Sequence, residues 1–202
     1  MFRALAVLTF LASGLAWADV DPKFAKLRDS AEAIEGLGNF LDKYVGDCGT
    51  DIDCKKNTEL FRSAANGKKF YMIITEDSVS NIQMASYDPG AQSFTLNLTP
   101  FFAASNSAIT SGAPSRTDAN GNPVMPFMTI KGNVSEGGNA QSVARMISMK
   151  TLRLQVIFSP QGTWSLPKKG SKDKMVGVKA HIDAILVTVG RTGEQVGLYL
   201  AK

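Results

Sequence analysis

Met175-Val-Gly-Val-Lys-Ala-His-Ile-Asp-Ala-Ile-Leu-Val-Thr-Val189 is the longest run with strand character in the chain, and it holds the only histidine. Its first half alternates. Val176, Val178, Ala180, Ile182, Ala184 and Leu186 fall on one face, and Lys179, His181 and Asp183 on the other. A period of two is the signature of a half-buried strand. From Ile185 both faces are apolar, so the strand is expected to start at a solvated sheet edge and to end between two layers.

Working outward, Arg191-Thr-Gly reads as a turn, and Glu194–Leu200 as a closing strand with Val196, Leu198 and Leu200 inward. Upstream, Thr151–Ser159 alternates with Leu152, Leu154, Val156 and Phe158 inward. Earlier strands are read at 69–76, 82–87, 92–99 and 124–134. Asp88-Pro-Gly-Ala turns the second of these into the third, while Pro123 and Pro126 suggest that the fourth is a sheet edge. A short helix is expected over 139–149, where Val143, Met146 and Ile147 recur at helical spacing. The small, polar stretch 103–122 reads as a mobile loop.

The N-terminal third has a different period. Phe24, Leu27, Ala31, Ile34, Leu37, Leu41 and Tyr44 recur every three or four residues over 22–45. Asp21-Pro22 caps the start of that helix, and Gly36 and Gly38 weaken its middle. A second helix is expected over about 51–65, with Leu60, Phe61 and Ala64 inward. Cys48 and Cys54 lie between the two and read as a disulfide closing a very short loop. Their spacing is not the Cys-x-x-Cys of a redox-active dithiol. The expected fold is therefore α+β. A disulfide-linked helical hairpin, residues 19–68, packs on an antiparallel β-sheet or β-sandwich of about seven strands, residues 69–202.

Residues 1–18 read as a signal peptide. Arg3 precedes an apolar run from Ala4 to Leu15, and Ala16-Trp17-Ala18 has small residues where a signal peptidase would need them. The run is shorter than the roughly 18–20 residues needed to span a bilayer. The mature chain would begin at Asp19 and be periplasmic or extracellular. Removing Arg3 from the 22 basic residues leaves 21 against 18 acidic ones. That balance is too even for a dedicated nucleic-acid binder.

Four groupings could carry chemistry. Arg153, Lys179, His181 and Asp183 form a candidate polar cluster if 151–159 pairs with the long strand. It would be either an acid/base site or a set of cross-strand pairs on a solvated face. No serine or cysteine sits in a nucleophile elbow. Trp164 with Lys168, Lys169, Lys172 and Lys174 forms a candidate anion-binding loop, set against a simply solvated lysine loop. Asp47, Asp51 and Asp53 crowd the disulfide, but their spacing is not that of a calcium loop, and a helix cap is the simpler role. Asn97 and Asn133 open Asn-x-Ser/Thr triplets beside predicted strands. A single histidine gives a zinc site no His partner, and no phosphate-cradling loop occurs. No catalytic residue, metal or cofactor is expected. The reading is an exported, non-enzymatic module that binds a protein or envelope component. The alternatives are a small hydrolase-like enzyme using His181 and Asp183, or a secreted inhibitor or immunity-type protein contacting its partner through the 103–122 loop.

Overall fold

The computed structural model describes residues 20–46, 48–74, 82–88, 93–98, 101–104, 107–114, 116–117, 123–124, 128–133, 140–167 and 174–202. In chain order the elements are α1 (Pro22–Asp29), β1 (Glu32–Ala33), α2 (Leu37–Val45), α3 (Ile52–Ala65), β2 (Phe70–Ile74), β3 (Ile82–Asp88), β4 (Ser93–Leu98), β5 (Phe101–Ala104), β6 (Ser107–Thr110), β7 (Arg116–Thr117), β8 (Pro123–Val124), β9 (Met128–Asn133), α4 (Ala140–Ser148), β10 (Leu152–Pro167), β11 (Lys174–Val189) and β12 (Gln195–Leu200). The fold is α+β.

The quoted stretch is the spine. β11 pairs along its length with β10, antiparallel, from Leu152↔Val189 to Pro167↔Lys174. Its other side is shared, with β12 antiparallel against Ala184–Thr188 and β6 parallel against Val176–Lys179. The full path is β1-β2-β10-β11-β12-β9-β4-β3. The sheet is therefore mixed, because β1 lies parallel to β2 and β6 parallel to β11. This corrects the purely antiparallel expectation. No second large sheet faces this one among the described residues, so the sandwich is not seen, and the short strands β1, β5, β6, β7 and β8 add to the longer ones. The start of β11 is not a sheet edge, since β6 covers it. β6 itself comes from the segment read as a loop over 103–122. β9 is not an edge either, since it lies between β12 and β4.

A β-bulge at Asp183 changes the face assignments. Ile157 pairs with Ala184 and Phe158 with Ile182, so Asp183 has no counterpart on β10. An extra residue reverses the alternation beyond it. Val178, Ala180 and Ile182 therefore share the larger core with Ile185 and Val187. Ala184 and Leu186, read as their companions, turn to the opposite face and pack with Ile157 and Phe24. A second bulge, at Gln161, lets β10 run on to Pro167 instead of ending at Ser159.

The single N-terminal helix is in fact two. Ser30 ends α1, Glu32–Ala33 pairs with Phe70–Tyr71, and the chain re-enters a helix only at Leu37. The strand interlude carries the chain from one face of the sheet to the other. Phe24, Leu27 and Ala31 pack on the Ile157 face, while Ile34, Leu37, Leu41 and Tyr44 pack on the larger core. On that larger side Phe40 is the hub of an aromatic cluster. Its ring centroid lies 5.0 Å from Phe70, 5.3 Å from Phe158, 5.6 Å from Tyr44 and 5.8 Å from Phe61. Aromatic pairs at these separations contribute beyond their buried area.

Candidate functional site

The extra residue of the first bulge is the polar centre of the sheet. Asp183 is an acid in a strand that is otherwise apolar there, and its side chain is only 8% exposed. An unpaired buried carboxylate would cost several kcal/mol. Two partners prevent that. The Lys69 ammonium, 37% exposed, forms an ion pair with Oδ1. The Ser159 hydroxyl donates to Oδ2 at 2.8 Å. The backbone joins in, as the Ala201 amide donates to the Asp183 carbonyl at 2.8 Å and so pins the chain beyond β12. One residue thus ties together the start of β2, the middle of β10 and the C-terminal segment.

His181 lies directly across from Ser159 in the register and is exposed. Lys179 lies across from Gly162 and is also exposed. Arg153 does not join them. It pairs with Thr188, six residues before Ser159 on β10, or about 20 Å along a strand. Gln155 is taken by the Tyr71 hydroxyl, which donates to its Oε1 at 2.7 Å. The sequence grouping of Arg153, Lys179, His181 and Asp183 is thereby divided. Lys69 and Ser159, which sequence reasoning did not single out, take the places nearest Asp183. Ser159 could have been found only by knowing the β10–β11 register, and Lys69 lies 114 residues away in sequence.

The arrangement limits the chemistry. A serine nucleophile needs its proton directed to a base, and the base needs a third group to orient it. Here the Ser159 proton goes to the carboxylate, and no hydrogen bond joins Asp183 to His181 among the described residues. The geometry is that of a satisfied internal ion pair with a histidine on the adjacent surface.

Trp164 is not in a loop. It lies in β10, buried, across from Gly177. A Cβ at Gly177 would come within 2.3 Å of the indole and 2.4 Å of the Ala108 carbonyl oxygen. Glycine therefore lets the indole lie over β11 and reach β6. Trp164 Nε1 donates to Thr110 Oγ1 at 2.9 Å, and that hydroxyl donates to the Val178 carbonyl at 3.4 Å. Lys168, Lys169 and Lys172 lie outside the described residues, and Lys174 is exposed at the start of β11.

Cys48 and Cys54 form a disulfide with Cα atoms 5.4 Å apart. It joins the α2–α3 connection to the first turn of α3. Asp51 is the N-cap of α3, its Oδ1 accepting from the Cys54 amide at 3.0 Å, while Asp53 is exposed and Asp47 lies outside the described residues. Two further contacts hold the hairpin. Arg62 on α3 donates to the last carbonyls of α2, Nε to Tyr44 at 2.6 Å and Nη2 to Val45 at 2.7 Å. Gly46, at φ +60°, leaves room for Thr58, whose Oγ1 would lie 2.4 Å from a Cβ there. Burial raises the pKa of the Tyr44 hydroxyl, and Arg62 opposes this. Burial does the same to Tyr71, opposed by Arg28.

Among the described residues no helix is long and apolar enough to cross a membrane. The Asn97 and Asn133 triplets begin within the paired strands β4 and β9.

Fold and site together define a disulfide-bonded α+β protein built on a mixed sheet, with an internal Lys–Asp–Ser link at its central bulge. The chain belongs to a family of unknown function, DUF6066, whose model matches residues 1–202. No curated protein and no solved structure matches it.

Proposed function

We propose that this is an exported protein that acts outside the cytoplasm as a non-enzymatic binding or envelope-accessory module. The observation that carries the reading is the state of Asp183. Both carboxylate oxygens are engaged by Lys69 and Ser159, and neither orients His181. An acid fully used in this way serves the architecture of the sheet and not proton transfer. Export rests on the n-region, apolar core and Ala-x-Ala of residues 1–18, and the disulfide agrees with an oxidising compartment.

The alternative, a small hydrolase, has one observation in its favour. The register sets a hydroxyl, Ser159, across from the imidazole of His181. One measurement tests export, and a second separates the two readings. In cell fractionation with intact mass, the mature chain should appear outside the cytoplasm beginning at Asp19. A full-length cytoplasmic product would remove the export half of the proposal. The purified mature protein is then assayed against chromogenic esters, amides and phosphoesters beside His181→Ala. Turnover lost in a folded His181→Ala variant would replace the binding reading with the hydrolase.

A further inference from the structure

The two halves of α3 are anchored by different means. In the first half, Ile52, Asp53, Lys55, Lys56 and Asn57 are exposed. That half is held through the Cys54 sulfur until Thr58, which is buried against Gly46. The Asp51 cap strengthens the helix locally but does not hold it to the body. In the second half Phe61 packs edge-on against Phe40 and Tyr44, Ala65 is buried, and Arg62 closes the end of α2. A short helix segment without tertiary packing is marginal in water.

We propose that the Cys48–Cys54 bond is a redox-sensitive clasp on Ile52–Asn57, and that Thr58 and Arg62 are redox-insensitive clasps on the rest of α3. Reduction releases one end of α3 and leaves the hairpin docked on the sheet. An external dithiol supplies two electrons and two protons. The sulfur–sulfur bond breaks, Cys48 and Cys54 become thiols, and the dithiol becomes a disulfide. Local opening of this kind is a sub-global event drawn from the weakly packed parts of a fold. The inference does not depend on what the protein binds or on where it resides.

Hydrogen exchange with mass spectrometry on the mature chain tests it, comparing the oxidised protein with the same protein in dithiothreitol. The Cys48→Ser/Cys54→Ser double variant reproduces the reduced state without reductant. Amides in 54–57 should exchange on the order of tenfold faster or more, while 61–65 and the β10–β11 amides keep their protection. Arg62→Gln in the oxidised protein should show the complementary pattern, with the end of α2 and 61–65 loosened and 54–57 still protected. Unchanged exchange in 54–57 on reduction would overturn the proposal. So would loss of protection across 61–65 and the sheet together, or Arg62→Gln loosening both halves alike.

Discussion

Asp183 shows how one residue can look ordinary in sequence and be decisive in the fold. By alternation it belongs with Lys179 and His181 on a solvated face. It is instead the extra residue of a bulge, buried and paired with Lys69 and Ser159. Asp183→Asn keeps an acceptor for Ser159 and removes the ion pair. Because Lys69 is 37% exposed, the loss should fall below that of a fully buried pair, at about 1–3 kcal/mol in urea unfolding. Gly177→Ala brings a methyl against the indole and the Ala108 carbonyl. It should cost about 1–3 kcal/mol and shift the emission of Trp164, the only tryptophan after residue 18. The bulge was not legible because nothing local specifies it. Its partners are a lysine 114 residues away and a serine whose register depends on a second bulge.

At the scale of elements, periodicity identified the kinds of element well and their joins poorly. The apolar positions over 22–45 are all used, but a two-residue strand divides them between opposite faces of the sheet. A helical pattern does not record which side of a sheet it will cover. The hairpin of α2 and α3 was legible from Cys48, Cys54 and the Leu37–Tyr44 spacing, while the Arg62 cap was not. Phe40→Ala removes the ring on which four others converge and should cost about 3–5 kcal/mol. Arg62→Met keeps much of the packing but leaves two α2 carbonyls without that donor. It should cost about 1–3 kcal/mol, read as a lowered denaturation midpoint with an unchanged m-value.

For the whole molecule, the α+β class was legible: α1 to α3 come before residue 66, every described strand except β1 from residue 70 on, and a short helix at 140–148. The mixed character of the sheet was not. β6, the strand parallel to β11, is the four residues Ser-Ala-Ile-Thr inside a small, polar segment, too short to show a period. Buried Tyr44 and half-buried Tyr71 make the fold sensitive to alkali. Burial raises the pKa of Tyr44 and Tyr71 above 10.0, so the folded state favours their neutral forms. That stabilisation is complete below pH 10.0 and is lost as pH rises through the folded values. Thermal stability should fall above pH 10.0, and Tyr44→Phe should blunt the loss.

The central claim is that Asp183 holds the sheet together while His181 beside it bears no structural load. Urea unfolding of Asp183→Ala and His181→Ala, side by side with the parent chain, tests it most directly. Asp183→Ala should lose about 2–4 kcal/mol, since it strands both Lys69 and Ser159, while His181→Ala should stay within about 0.5 kcal/mol of the parent. An Asp183→Ala protein as stable as the parent would contradict the account.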